Sequence, residues 1–384
     1  MFNTVAPVEM IDTGSTHKGP PKQGVALCLS GGGYRAMLFH VGALWRLNET
    51  GYLKKIKRIS SVSGGSIAAA VLGMNWHKLD FDTKGIGRAF VAYVVDPIRN
   101  LAGKTLDVSS VLTGIADPCM TISDEVASAY GKYLFGDATL QDFPDKPLFI
   151  INATNVQSGA LWRFMKPHMA DWRVGKINRP KIPLALAVAA SSAFPPFLSP
   201  MNLKLDNSSY VKKSGKNLQR PPFTTDVVLT DGGVYDNLGL EPVWKLYDTI
   251  WVSNGGGQMP PDPEPSRDWV RHFVRIAAVI DNQVRNLRKG QVLGSFNNKN
   301  DPHKGVYWSI RSDINHYPVK DPLHCPYKKT IALADIATRL MAIDADTQER
   351  LINWGYAVCD AGLRSHVNSR LSRPNGFVYP KARV

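Results

Sequence analysis

Several short stretches of this chain hold residues whose types and spacing suit chemistry. Residues 59–73 read ISSVSGGSIAAAVLG, an apolar run of strand type that gives way at Gly64-Gly65 to a helix-forming segment. Ser63 stands at that junction. Glycines allow the strained corner that lifts a serine hydroxyl over the carboxyl end of a strand, beside a helix N-terminus, where it can attack a carbonyl carbon. The usual form of such a corner is Gly-x-Ser-x-Gly, and here Ser61 occupies the first glycine position. Ser66 is a rival hydroxyl in the same segment, but it sits inside the start of the helix and points less freely.

Gly31-Gly32-Gly33 follow the apolar run Val25-Ala26-Leu27-Cys28-Leu29. Bare backbone amides ahead of a helix can receive an anion, either a phosphate or a transient oxyanion, and Arg35 adds a positive charge nearby. The stretch has no Gly-Lys-Ser/Thr and is not Gly-x-Gly-x-x-Gly, so neither nucleotide fingerprint applies. Asp231-Gly232-Gly233 ends a further strand-like run, VVLT at 227–230, and supplies a carboxylate, although Asp-Gly is equally an ordinary turn signal. His40 shares a helical stripe with Met37 and Leu44 and reads as a packed residue, not a base. His-Glu-x-x-His and paired cysteines are absent, which disfavours a zinc hydrolase.

The elements that must position these residues alternate. Strand, glycine turn and helix occur in that order at 25–49 and again at 56–73, the beginning of a parallel α/β sheet. Further strand-like runs lie at 148–152 (LFIIN), 160–164, 227–230, 250–253 and 306–310. Residues 184–190 have helix-forming composition and run into Ser191-Ser192-Ala193-Phe194-Pro195-Pro196-Phe197, where the Pro-Pro pair must stop the helix. Residues 76–145 read as a variable helical insertion, and the lysine-rich stretch 201–222 as an exposed loop. Residues 273–287 suit a long helix that runs into Arg285, Arg288 and Lys289; an exposed basic face matched to the helix dipole accounts for these cations. Helical periodicity at 331–363 is expected to break near Gly355. The expected organisation is a flexible arm at 1–23, one domain at 24–365 and a tail at 366–384.

With 384 residues, 44% of them hydrophobic, the chain can bury a substantial core. Its net charge of +14 favours anionic partners, lipid headgroups or nucleic acid, and the lack of an aromatic-basic recognition motif counts against the latter. Cys28, Cys119, Cys325 and Cys359 are widely separated, as buried thiols in a reducing compartment would be. Residues 1–23 do not form a signal peptide, and serines and prolines interrupt the apolar segment 183–198, so a cytoplasmic protein with at most peripheral contact at the inner membrane face is expected.

Taken together, these motifs resemble the patatin-like phospholipase family, in the family's order, over about residues 24–365. Gly31-Gly32-Gly33-Tyr34-Arg35 is similar to its oxyanion-hole motif and Ser61-Val62-Ser63-Gly64-Gly65 to its nucleophile elbow. Residues 189–197 resemble its Ala/Ser-rich segment before proline, and Asp231-Gly232-Gly233 its catalytic aspartate motif. The resemblance implies a three-layer α/β fold with a mostly parallel central sheet flanked by helices, and a Ser63–Asp231 dyad that hydrolyses lipid acyl esters. It further implies an oxyanion hole at Gly31, Gly32, Gly33 and Arg35, and no metal or cofactor. Expected substrates are phospholipids or lysophospholipids at a membrane surface. The alternative expectation is a ligand-gated membrane-degrading effector that an activating nucleotide or protein switches on.

Overall fold

Strand and helix alternate from Lys22 to Met74, and four strands follow in succession from Leu148, in the computed structural model, which describes residues 19–106, 122–196 and 198–384. The strands are β1 (Lys22–Leu29), β2 (Ile56–Val62), β3 (Leu148–Asn155), β4 (Ala160–Phe164), β5 (His168–Asp171), β6 (Gly175–Asn178), β7 (Met201–Lys204), β8 (Asp226–Asp231), β9 (Tyr247–Asn254) and β10 (Lys304–Ser309). The helices are α1 (Gly33–Glu49), α2 (Gly64–Met74), α3 (Asp96–Ala102), α4 (Ile122–Tyr130), α5 (Leu184–Ser191), α6 (Gly233–Asp236), α7 (Glu241–Trp244), α8 (Trp269–Asn297), α9 (Tyr327–Ala334) and α10 (Ala345–His366). Most of the arm at 1–23, a part of the helical insertion and Cys119 lie outside the described residues.

The sheet follows the order β10-β9-β1-β2-β3-β4-β5-β6, and its first five strands are mutually parallel. That parallel core has both faces covered, which is why β1 and β9 read as unbroken apolar runs instead of alternating ones. Beyond β3 the sheet continues antiparallel through β4, β5 and β6. β3 is the strand that organises the site. One of its edges is taken by β4 at residues 151–155, and the other is divided. β2 pairs with β3 as far as Val62 opposite Asn152, and β8, running the other way, ends with Asp231 opposite Ala153. Strands β2 and β8 therefore meet head-on along one edge of β3.

Leu27, Leu29 and Ile59 face a large core made with α1, α2, α5 and α10, while Ala26, Cys28, Ile250 and Val252 face a smaller one with Leu238, Leu240, Val243 and Val292. The result is helices, sheet, helices: three layers. Cys28, Cys325 and Cys359 are buried free thiols.

Two local expectations are corrected. Gly355 does not interrupt a helix; it lies inside α10, because a Cβ there would strike the Phe39 carbonyl oxygen, just as one on Gly42 would strike that of Ile352. These glycines let α1 and α10 cross with backbones nearly touching. Residues 201–204 are not loop but β7, whose Met201 and Leu203 are buried against β8 while Asn202 and Lys204 face outward. The outward polar residues Asn202 and Lys204 hid a strand of period two.

Candidate active site

Ser63 occupies the single residue between β2 and α2, with φ 51° and ψ −122°. A non-glycine residue in that region is strained and persists only where its surroundings hold it. They do so through hydroxyls. The Ser63 N–H donates to Ser191 Oγ at 3.0 Å, Ser191 Oγ donates to the Asn152 carbonyl at 2.6 Å, and Ser66 Oγ lies 2.9 Å from Ser191 Oγ. Ser66 is fully buried and also donates to Ser61 Oγ at 3.1 Å, so this rival hydroxyl is part of the footing under the corner. Ser61, in the position of the missing glycine, remains in β2 and donates to the Ile150 carbonyl at 3.0 Å. The close approaches fall instead at Gly64, where a Cβ would overlap the Gly33 carbonyl, and at Gly65, where it would come within 2.5 Å of the Leu29 carbonyl oxygen.

Asp231 lies at the end of β8 with only 2% of its surface exposed, and Ser63 is 7% exposed. Its carboxylate accepts the Gly233 N–H at 2.6 Å and a hydrogen bond from the Ser63 side chain. Burial raises its pKa to about 7, against the opposing pull of those two hydrogen bonds and of Arg285. The backbone around it is tied to the end of α5: Asp231 N–H donates to the Ala193 carbonyl at 2.9 Å and Gly232 N–H to the Ser191 carbonyl at 3.3 Å.

The glycine loop packs onto the same corner. Gly32 (φ 144°) and Gly33 (φ 62°) adopt backbone conformations that side chains disfavour, and a Cβ on Gly31 would meet Ser63 Cβ at 3.1 Å. Its donors are not equivalent. The Gly31 N–H is used by the Asn237 carbonyl at 3.1 Å. Arg35 is buried, and its guanidinium donates to the carbonyls of Gly255 and Ile336 and to Thr338 Oγ1, which makes it a strut between α1 and two distant loops. Gly33 lies against Gly64, the residue after Ser63, where an added Cβ would come to 3.0 Å from the Gly33 nitrogen.

His40 does not reach Asp231 or Ser63 by any hydrogen bond. It is fully buried, bonded to Ser253 Oγ at 2.8 Å and the Ser30 carbonyl at 2.9 Å, and burial lowers its pKa to about 4. It therefore fixes the approach to the glycine loop in neutral form. Ser191 is the residue whose role the sequence did not disclose: the Ala/Ser-rich run marked its location, but the partners that define it come from other segments.

A strained serine at a strand–helix corner, hydrogen-bonded to a buried aspartate beneath a glycine loop in a three-layer α/β architecture, defines a class of hydrolase-like folds. The patatin-like phospholipase family matches residues 27–244, more than half of the chain, and the chain belongs to that family. A search of curated protein sequences finds no match. Among solved structures, human GIVD cytosolic phospholipase A2 is similar in fold, with 12% identity, a TM-score of 0.55 and coverage of 90% of this chain and 61% of that one. The same human protein in complex with methyl gamma-linolenyl fluorophosphonate gives 14% identity and a TM-score of 0.51, covering 88% of this chain and 57% of that one. This chain thus spans less than two thirds of the length of these structural relatives.

Proposed function

We propose that the protein is a serine acyl hydrolase of the phospholipase A or lysophospholipase type, acting through Ser63 and Asp231. The observation that carries this reading is the hydrogen bond from the Ser63 side chain to a carboxylate whose pKa burial has raised to about 7. An ordinary carboxylate is too weak a base for a serine hydroxyl, whereas one poised near neutrality is matched to the task. Asp231 takes the proton as Ser63 Oγ attacks the ester carbonyl, the alcohol leaves, and water hydrolyses the acyl-enzyme with the carboxylate again as base. The N–H groups of Gly32 and Gly33 are the proposed oxyanion donors, each commonly contributing about 3 kcal/mol to the transition state. Arg35 then acts by holding the loop in place, since four of its five N–H donors are already used.

The substrate side of the proposal rests on family membership and on the basic character of the chain. A structural relative in complex with methyl gamma-linolenyl fluorophosphonate, a molecule with a lipid chain, is in keeping with it. Ser63→Ala and Asp231→Asn should each lower fatty-acid release from phospholipid vesicles by at least about a thousandfold, with circular dichroism unchanged. Full activity in either purified variant rules the dyad out.

A ligand-gated version of the same hydrolase has one observation in its favour. A cavity of about 730 Å³, on the sheet face away from the large core, is lined by Arg58, Arg163, Lys176 and Lys213, with Asp171 and Glu241 as its acids, and reaches Tyr235, just beyond the Asp231 turn. Its cations suit an anionic ligand. A nucleotide titration that leaves the esterase rate flat counts against gating.

A further inference from the structure

We propose that α8 docks the protein on anionic phospholipid bilayers by laying an outward apolar stripe into the membrane interface. Of its 29 residues only Val292 and Ser295 are buried. Trp269, Phe273, Ile280 and Leu287 are 83%, 68%, 61% and 63% exposed, and Ile276 joins them. Positions 269, 273, 276, 280 and 287 recur at helical spacing, so these side chains form one continuous stripe. Single exposed apolar residues are ordinary; a row of five, beginning with tryptophan and phenylalanine, is not.

On the opposite face of α8, half-buried Asn282 and Arg285 and the more exposed Asn286 and Lys289 line a polar cavity of about 260 Å³ together with Gly256 and Gly257. That cavity adjoins the catalytic end of the sheet: Arg285 acts electrostatically on Asp231 and donates to the Gly257 carbonyl at 3.4 Å. An apolar stripe on the solvent side, with the site on the other, is the placement expected of an element that carries an enzyme to a lipid surface.

Charge selects the occupant. Arg267, Arg271 and Arg275 sit in this stretch with Asp262, Glu264 and Asp268 as its acids, and the chain carries +14 overall, so the body behind the stripe is strongly basic. A second copy of this chain would bring the same excess of positive charge to the contact, whereas an anionic leaflet attracts it. Tryptophan and phenylalanine at the leading end are the side chains that partition into the headgroup boundary. Among the described residues no helix is long and apolar enough to cross a membrane, so the contact is with the surface. The proposal rests on the reading of the site as a lipid ester hydrolase for its purpose, but its test does not depend on catalysis.

Ser63→Ala protein, which leaves vesicles intact, is sedimented with phosphatidylcholine vesicles with and without phosphatidylglycerol. It should partition onto the anionic vesicles, and adding Trp269→Ser, Phe273→Ser and Ile280→Ser together should lower that partition by at least about tenfold. With Ser63 intact, the triple variant should lose fatty-acid release from the same vesicles to a similar degree while hydrolysing a water-soluble short-chain ester at the parent rate. Unchanged partition of the triple variant overturns the proposal. So does a change from dimer to monomer in sedimentation equilibrium with vesicle binding intact, because the stripe would then serve a second copy. Loss of vesicle binding in a protein that cleaves no ester at all would refute the hydrolase reading and leave the docking surface standing.

Discussion

Helices α1 and α8 both carry apolar stripes, yet the molecule treats them in opposite ways. Every residue of α1 except Trp45 and Glu49 is buried, including Arg35 and His40, whose polar atoms are all directed at named partners from Ser30 just after β1, from β9 and from the segments near 255 and 336–338. α8 instead leaves Trp269, Phe273, Ile276, Ile280 and Leu287 in solvent and enters the smaller core through Val292 and Phe296 of its last turns. Amphipathicity alone therefore does not say which way a helix faces. Neighbours decide it: α1 is clamped between the sheet and α10, while α8 touches the body mainly through its last turns and α6.

The sharpest break of this contrast is a pair of truncations read by thermal or urea unfolding. Leu44→Ala removes a fully buried side chain from the large core and should cost about 2–5 kcal/mol. The same difference extends to carboxylates. Asp268, the exposed N-cap of α8, has its pKa held below the ordinary range by the Arg271 N–H, while burial lifts Asp231 to about 7. If Asp231 is the base, as proposed, it must be unprotonated to accept the Ser63 proton, so kcat/KM should rise about tenfold per pH unit below 7 and level off above it. A profile flat from pH 5 to 8 would remove Asp231 as the base. The smallest effect is expected on α8: Ile280→Ser should change stability by less than about 0.5 kcal/mol, since that side chain is mostly exposed. A loss comparable to that at Leu44 would mean that α8 is part of the folding core.

Local chemistry made much of this legible in the sequence. The corner at Ser63, the glycine run at 31–33 and the end of β8 are each specified by a few adjacent residues, so their types disclosed them. Arg35 was legible only as a charge near glycines, because its partners lie 220 to 303 positions away. Ser191 was hidden for the same reason, as its hydroxyl links residues 39 to 128 positions distant. The glycine at 355 looked like a helix break since its true function, room for the backbone of α1, exists only once two helices cross. For α8 the helix and its basic end could be read, but the orientation could not.

The end of α5 has a mechanical consequence. The amide of the serine and the amide of the aspartate are both fastened to this one stretch, at Ser191 and Ala193, although they arrive on strands running in opposite directions. A shift of that shared mooring would carry Ser63 and Asp231 together. Breathing of the surrounding scaffold would then change where the pair sits without changing how far apart its members are.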